Sequence, residues 1–327
     1  MHEDPVTARA FWIRSPGNAE IQSEALEPLA PGDVQVRTLF SGISRGTESL
    51  VFSGRVPQSQ YEAMRAPFQS GDFPGPVKYG YISVGVIEDG PAERIGERVF
   101  CLYPHQDRYR VPASAAVPLP ADLPPGRAVL AANMETAINA LWDAAPMVGD
   151  RILIIGAGVL GLLTAWLCRQ IPGTEITLVD VNPARRDIAQ AWGLPFALQA
   201  DAGSAADRVI HASGNPAGLE QALNAAGPEA TIVELSWYGD RRVTLPLGEA
   251  FHSRRLLLKS SQVGRIPPER SVRWNFRRRL TLALDLLRDE RLERLITGES
   301  PFDQLPDVMA KLSTDPGDSL CHRIRYP

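Results

Sequence analysis

The sequence predicts an α/β protein of two domains, in which a β-rich N-terminal domain is followed by a doubly wound parallel sheet. Short alternating segments such as Val34–Arg37, separated by Pro and Gly turns, fill residues 1 to about 120. Prolines then crowd residues 112–125, as at a domain boundary. Beyond Arg151, apolar strands alternate with helical segments, which is typical of a parallel sheet. We therefore expect domains at residues 1–120 and 121–265, and a C-terminal segment at 266–327.

The period of the apolar residues predicts each element. Residues 34–37 and 81–87 alternate as half-buried strands do, whereas residues 128–145 place their apolar side chains on one helical face. In the second domain the expected strands are 151–155, 175–179, 208–212 and 230–235. The expected helices there follow the glycine turn at 156–161, follow Pro183, and span 216–226. Residues 273–312 are predicted to form two helices joined near T-G-E-S-P.

The composition is that of an ordinary globular protein, with 44% hydrophobic and 22% charged residues. The net charge of −4 offers no attraction for nucleic acid or an anionic membrane. Three scattered cysteines cannot form a disulfide framework. The N-terminus M-H-E-D-P lacks a signal-peptide pattern, and the longest apolar run, Ile152–Cys168, is too short to span a membrane. We expect a cytoplasmic protein whose partner is a small molecule.

One basic cluster departs from this balance. Arg273 and Arg277–Arg279 lie close together near the start of a predicted helix. Such a run usually forms a solvated helix face or a subunit contact, and an anion-binding role is the alternative.

A glycine-rich turn indicates a dinucleotide-binding site. Gly156, Gly158 and Gly161 follow an all-apolar strand and open a helix, which is the context that this motif requires. Gly156 permits the tight turn, Gly158 lets a pyrophosphate approach the backbone, and Gly161 lets helix and sheet pack closely. Other expected cofactor contacts are Val159, Leu160, Val181, Asn182, Ala212, Ser213 and Gly214.

Asp180 favours NAD over NADP. It ends the second strand, where an acid accepts hydrogen bonds from the adenosine ribose hydroxyls and repels a 2′-phosphate. Arg185 and Arg186 follow closely and could hold such a phosphate, so NADP stays possible; the alternative is that both are surface residues of the next helix.

Over essentially its whole length the chain resembles the medium-chain dehydrogenase/reductase superfamily. The resemblance rests on the entry turn at Gly42–Ser44, the segment Gly80–Ile82, the turn Gly96–Val99, Thr136, and the G-A-G-V-L-G turn. It is similar in particular to a bacterial subgroup named zinc-binding dehydrogenases. The resemblance implies a GroES-like catalytic domain, a Rossmann NAD(P)-binding domain, and a C-terminal segment that returns to the catalytic domain. It also implies that Arg45 and Thr136 contact the cofactor.

The sequence departs from the family at the zinc ligands. Zinc-dependent members place a Cys in the entry turn and a Gly-His-Glu segment further on, whereas this chain has Ser44, Tyr81 and Ile82. Neutral Ser and Tyr hydroxyls are poor zinc ligands, because ligands must be deprotonated to bind well. We therefore expect no catalytic metal, although Glu48, His105 and Glu135 could form a different site.

Tyr81 is the proton donor or acceptor that we expect in place of the metal, since it stands where the family has its metal-binding His. The alternative is that Tyr81 only fills the vacated space. Ser44 and Thr47 would relay protons or position the substrate. Glu48 is more easily explained by an ion pair with Arg45 than by a role as a base. His105 could relay a proton or could be a structural residue. Glu135 could have a positioning role near the nicotinamide or could take part in the reaction itself.

These observations predict a zinc-independent NAD(H)-dependent oxidoreductase acting on an alcohol/carbonyl pair. One alternative is an enone or quinone reductase using NADPH. Another is a non-catalytic NAD(P)H-binding protein, because a protein that has lost all of the family's zinc ligands could also have lost its catalytic activity. The resemblance also implies a homodimer formed through the Rossmann sheet edge near Arg241–Leu247.

Overall fold

The computed structural model describes residues 6–201 and 203–327. The segment M-H-E-D-P, which carries the expectation that no signal peptide is present, lies outside the described residues. The described residues form two compact units, which are described separately below. The first unit is the chain up to Ala132 together with Leu284–Pro327, and the second is Asn133–Ala283.

The strands follow one another along the chain as β1 (Thr7–Ser15), β2 (Asn18–Ala25), β3 (Asp33–Ile43), β4 (Ser70–Gly71), β5 (Val77–Lys78), β6 (Ser83–Asp89), β7 (Arg98–Cys101), β8 (Arg108–Pro112), β9 (Val117–Pro118), β10 (Arg151–Ile155), β11 (Glu175–Val179), β12 (Phe196–Ala197), β13 (Ala206–His211), β14 (Ala226–Glu234), β15 (Leu257–Ser260), β16 (Ile296–Pro301) and β17 (Cys321–Arg325). The helices are α1 (Arg45–Phe52), α2 (Pro125–Ala128), α3 (Ala131–Ala144), α4 (Val159–Cys168), α5 (Arg185–Ala191), α6 (Pro216–Ala225), α7 (Pro268–Ser271), α8 (Phe276–Leu286) and α9 (Leu305–Thr314).

The second unit is built on a parallel sheet with the order β12-β11-β10-β13-β14-β15. This is the doubly wound order of a Rossmann domain, whose strands are fed by right-handed helical crossovers. The inner strands read as continuous apolar runs because both faces of such a sheet are covered. Leu153, Val209 and Ile232 accordingly lie in one buried cluster with Leu223 of α6. The predicted parallel sheet is confirmed.

The first unit contains two sheets that are mainly antiparallel. One has the order β16-β17-β3-β6-β7-β9, with β8 also paired to β3, and the other has the order β2-β1-β5-β4. Inward-facing side chains of β3, β6 and β8, among them Val36, Ile87 and Tyr109, form its buried core. The alternation at residues 34–37 and 81–87 therefore predicted real strands, and the GroES-like β-rich domain is confirmed.

The C-terminal segment differs from the sequence prediction. The two predicted helices are present as α8 and α9, but T-G-E-S-P between them is not a simple turn, because it belongs to strand β16, which pairs in parallel with β17. Strand β17 pairs in turn with β3. Residues 241–246 are irregular, and the sheet ends at β15, so the sheet edge that was expected near Arg241–Leu247 lies at Leu257–Ser260 instead. Among the described residues no helix is long and apolar enough to cross a membrane.

Candidate active site

The glycine turn of the second unit joins β10 to α4 in a shape that requires glycine at two positions. Gly156 has a φ of 106°, and a Cβ on it would lie 2.6 Å from the backbone nitrogen of Ser213. A Cβ on Gly161 would lie 1.7 Å from the carbonyl oxygen of Gly156. Helix and sheet can therefore pack this closely only with glycine there.

Gly158 faces open space, unlike its two neighbours in the motif. Among the described residues no heavy atom lies within 4 Å of a Cβ built on it, and its φ of −73° is ordinary. Helix α4 begins at Val159, so the N–H groups of Val159, Leu160 and Gly161 have no partner within the helix. An anion in front of Gly158 would meet free N–H groups and the positive end of the helix dipole.

Asp180 lies beside this turn, at the end of β11. Its Oδ2 accepts a hydrogen bond from the N–H of Ala157 at 2.7 Å, and its Oδ1 accepts one from the N–H of Asn182 at 2.8 Å. Each carboxylate oxygen has two lone pairs, so each keeps one for a ribose hydroxyl. The turn and this carboxylate together fit the pyrophosphate and adenosine ribose of a dinucleotide.

The residues after Asp180 differ in their exposure and in their contacts. Val181 is exposed, and Asn182 Oδ1 accepts a hydrogen bond from the N–H of Ala184. Arg185 is buried, so the reading of it as a surface residue is wrong, whereas the guanidinium of Arg186 lies over the ring of Phe196. Ala212, Ser213 and Gly214 follow β13, next to the glycine turn, and Thr136 is half-buried on α3.

In the first unit, Tyr81 and Ser44 form a hydrogen-bonded pair. The Tyr81 hydroxyl donates to Ser44 Oγ at 2.5 Å, and Thr47 lies within hydrogen-bonding reach of the same phenol. Burial raises the pKa of Tyr81 to about 12, and the nearby Glu48 carboxylate adds to the rise. The phenol is therefore fully protonated at neutral pH and acts there as a donor.

Glu48 and His105 lie just behind this pair and are both almost completely buried. His105 Nε2 is 2.8 Å from Glu48 Oε2, and the N–H of Ser44 donates to Glu48 Oε1 at 2.8 Å. Sequence reasoning favoured Arg45 as the partner of Glu48, but the structure supplies His105. The guanidinium of Arg45 donates to the carbonyl oxygen of Ser319 at 3.3 Å.

Two residues of this network were missed by sequence reasoning. Ser41 Oγ is 2.7 Å from His105 Nδ1 and 3.0 Å from the hydroxyl of Tyr326. Ser41 lies beyond the predicted strand 34–37, in the part of β3 that follows a register irregularity between Thr38 and Phe40, so the alternation did not indicate it. Tyr326 gave no local signal, because it lies 285 positions away in the chain.

Glu135 belongs to the second unit and has a different environment. Its Oε1 accepts a hydrogen bond from Arg279 Nε at 3.1 Å, and both side chains are buried. Burial raises the pKa of the Glu135 carboxyl, and the charge of Arg279 opposes part of that rise. The ion pair with Arg279 gives Glu135 a structural role.

The donor set at the family's metal position does not suit zinc. A phenol that donates to a serine hydroxyl leaves two neutral oxygens, and the next residue, Ile82, has no ligand atom. Across residues 6–201 and 203–327, no group of three or more His, Cys, Asp or Glu side chains is arranged to hold a metal ion.

Comparison with known proteins places this architecture in a family. The chain is 30% identical over 239 residues to 2-desacetyl-2-hydroxyethyl bacteriochlorophyllide A dehydrogenase of Rhodobacter capsulatus, covering 68% of this chain and 69% of that protein. It is 29% identical over 119 residues to the L-threonine 3-dehydrogenase of Rhizobium etli, but it spans only about a third of the length of that relative (33%). No protein-family model matches the sequence.

A solved structure has the same fold. A protein of Sinorhizobium meliloti, provisionally described as a zinc-binding dehydrogenase and solved with NADP bound, superposes with a TM-score of 0.79. The match covers 98% of this chain and 99% of that one at 18% identity. The chain therefore belongs to the medium-chain dehydrogenase/reductase superfamily. The members matched here are named for dehydrogenase activity on small molecules.

Proposed function

We propose that this protein is an NAD(H)-dependent oxidoreductase that interconverts an alcohol and a carbonyl compound without zinc. The observation that carries the proposal is the glycine turn of β10 and α4, in which Gly156 and Gly161 are sterically required while Gly158 is left open. Such a turn fits a pyrophosphate that contacts the backbone itself. When bound, the nicotinamide supplies or accepts the hydride.

Asp180 supports NAD(H) over NADP(H). Its carboxylate is held at the end of β11 by two backbone N–H groups, so it cannot turn away from an incoming ribose. A 2′-phosphate there would meet a fixed negative charge. NADP(H) remains the alternative, because Arg185 lies five positions further on.

Tyr81 supplies the proton in this proposal. A protonated phenol can give its proton to the oxygen of a carbonyl as that oxygen gains negative charge. Because Tyr81 donates to Ser44 Oγ, the hydrogen of the Ser44 hydroxyl is directed to another acceptor. Ser44 can therefore pass a proton to substrate while Tyr81 replaces it. The phenol of Tyr81 is protonated at neutral pH, which is the form that reduction of a carbonyl requires.

The test is NADH oxidation with a panel of aldehydes and ketones, comparing the native protein with Tyr81→Phe. We expect the variant to lose about 10²–10⁴-fold in kcat, the usual contribution of a general acid, while its affinity for NADH is unchanged. Tyr109→Phe is the matched control, because it also removes a buried hydroxyl that is bonded to a serine (Ser83, 3.0 Å). Equal losses in both variants would contradict a proton-donating role for Tyr81.

Substrate panels separate the alternatives. Turnover of enones or quinones with NADPH, but not of ketones with NADH, would make the protein a double-bond reductase. NADH binding without turnover of either panel would make it a nucleotide-binding protein. A third panel should contain hydroxyethyl- and hydroxyl-bearing compounds, since the relatives are named for such substrates.

Zinc content tests the metal-free part of the proposal. Protein purified without chelators should contain close to zero moles of zinc per chain, because Ser44, Tyr81 and Ile82 do not suit the ion. A value near one mole per chain would mean that other residues, such as Glu48 and His105, bind zinc, and the metal-free mechanism would be wrong.

A further inference from the structure

The carboxyl ends of β13 and β14 carry a hydrogen-bonded chain of three side chains. Ser213 Oγ is 2.6 Å from Nε2 of His211, and Nδ1 of His211 is 2.7 Å from Oε2 of Glu234. His211 is completely buried, whereas Ser213 is exposed. The buried imidazole of His211 thus connects the carboxylate of Glu234 to Ser213 at the surface of the second unit.

The neighbouring donors determine where the hydrogen atoms lie. Glu234 also accepts from the hydroxyl of Tyr238 at 3.1 Å and from the N–H of Ser236 at 2.7 Å. A carboxylate only accepts hydrogen bonds, so Nδ1 of His211 donates its hydrogen to Oε2 of Glu234. With the ring hydrogen on Nδ1, Nε2 of His211 is an acceptor, and the Ser213 hydroxyl donates to it.

Ser213 is consequently left with accepting capacity alone. The N–H of Asn215 donates to Ser213 Oγ at 3.1 Å and uses one lone pair. The second lone pair remains for a ligand that carries a donor. A hydroxyl can satisfy it, but a phosphate oxygen cannot.

The strand order places Ser213 at one end of the cofactor turn. Ligands of doubly wound sheets bind where the strand order reverses, which is between β10 and β13 here. A Cβ on Gly156 would touch the backbone of Ser213, so the two turns are adjacent. Asp180, after β11, lies on the opposite side of the glycine turn from Ser213, after β13.

We propose that the Ser213–His211–Glu234 chain makes Ser213 a fixed hydrogen-bond acceptor for a hydroxyl of the nicotinamide-side ribose of the dinucleotide. The inference rests on the proposed function, because it assumes that a dinucleotide binds. Its reason is the order of the groups: adenosine ribose at Asp180, pyrophosphate at Gly158, and the second ribose beyond it towards β13. His211 and Glu234 are positioning residues, since they act through Ser213.

A serine–histidine–carboxylate chain is also the arrangement of serine hydrolases. Here helix α6 packs against the serine–histidine hydrogen bond, since a Cβ on Gly218 would lie 2.6 Å from Ser213 Oγ and 2.8 Å from His211 Nε2. A nucleophilic role for Ser213 is the alternative that the ester-hydrolysis measurement below tests.

The test compares ligands that contain the second ribose with one that lacks it. Dissociation constants for NADH, ADP-ribose and AMP are measured by calorimetry for the native protein and for Ser213→Ala. We expect Ser213→Ala to weaken NADH and ADP-ribose by about 5-fold, the value of one ordinary hydrogen bond, and to leave AMP unchanged. Ser213→Thr retains the hydroxyl and should restore the native affinity for NADH.

A second variant tests the chain behind Ser213. In Glu234→Gln the amide can donate to His211 Nδ1, which moves the imidazole hydrogen to Nε2 and turns it towards Ser213. ¹⁵N NMR of the imidazoles should show the Nδ1–H tautomer of His211 in the native protein and the Nε2–H tautomer in the variant. His322→Gln is the matched control, because His322 also bonds a serine (Ser300, 2.9 Å) but belongs to the first unit.

The outcomes are distinguishable. If the native protein binds neither NADH nor AMP, the proposed function fails. If it binds both and Ser213→Ala changes neither, or weakens AMP as much as NADH, the assignment of Ser213 is wrong. Hydrolysis of p-nitrophenyl acetate that is lost in Ser213→Ala would also overturn it, since Ser213 would then be a nucleophile.

Discussion

At the residue scale, the side chains around Tyr81 decide its chemistry. Burial removes water from the phenol, and Glu48 adds a negative charge close to it, so the anionic phenolate is doubly disfavoured. Tyr81 is therefore protonated at neutral pH, which is the form that can give a proton to a carbonyl oxygen, whereas deprotonation of an alcohol would need the phenolate.

The pH dependence of carbonyl reduction should report this environment. The reactive form is the protonated phenol, so kcat should stay level from pH 7 to about pH 10 and fall only as the pH approaches the pKa of about 12. In Glu48→Gln, loss of the charge lowers that pKa, and the fall should begin at a lower pH. Glu97→Gln, which alters a half-exposed ion pair with Arg94, is the control. A basic limb at the same pH in all three proteins would contradict the role of Glu48.

The glycine turn allows a second prediction at this scale. Gly158→Ala should leave the thermal midpoint of the free protein within about 1 °C, because the new methyl group enters open space, but should weaken NADH binding at least tenfold by blocking the pyrophosphate. Gly156→Ala should destabilise the free protein itself by about 1–2 kcal/mol or more, because of its positive φ and the contact with Ser213. Thermal unfolding with and without NADH measures both.

At the scale of elements, the first turn of helix α8 carries positive charges that interact unfavourably with the helix dipole. Arginines 277–279 occupy its first turn, where cations are disfavoured. Arg279 offsets this by burying its guanidinium against Glu135 of α3, Asn139 Oδ1 at 2.6 Å, and the carbonyl oxygen of Val263 at 2.7 Å. The expectation of a fully solvated basic face was wrong for Arg279 and holds for its exposed neighbours.

Arg279 and Arg278 should therefore differ in their effect on stability. Arg279→Met leaves a buried carboxylate without its partner and should cost about 3–5 kcal/mol. Arg278→Met loses the exposed stacking on Trp274 and an exposed hydrogen bond from its guanidinium to the carbonyl oxygen of Arg273, and should cost less than about 1 kcal/mol. Urea unfolding gives both values. Adding Glu135→Met to Arg279→Met should recover much of the loss, and no recovery would show that the ion pair is not the cause.

At the scale of the whole molecule, the end of the chain completes the sheet of the first unit. Strand β17 lies between β16 and β3, and Ile324 in it is completely buried. Its backbone satisfies N–H and C=O groups of β3 that would otherwise form an open edge. Residues near both ends of the sequence therefore depend on one another for stability. Homodimer formation stays a prediction.

Truncation tests this dependence. A chain that ends at Ser319 lacks β17 and should be insoluble or unfold without a cooperative transition, because β3 loses one of its neighbouring strands and buried apolar area is exposed. A chain that ends at Tyr326 loses only the exposed Pro327 and should behave as the full-length protein. Circular dichroism melting of both chains decides the point.

The sequence by itself determined the features that depend on local backbone geometry. Strand alternation, the glycine turn with its helix, and Asp180 at the end of a strand are each specified by neighbouring residues, so their periods and spacings could be recognised. The missing zinc ligands were visible for the same reason, since each stands in a short recognisable segment.

The tertiary structure alone decided the partners of the buried charged and polar groups. Glu48 and His105 are separated by 57 positions, Ser41 and Tyr326 by 285, and Glu135 and Arg279 by 144. Burial makes each pair necessary, because an unpaired charge or hydrogen-bonding group in the interior is costly, but burial acts through the packing of distant segments. No local pattern could therefore reveal that His105, rather than Arg45, faces Glu48, or that His211 connects Glu234 to Ser213.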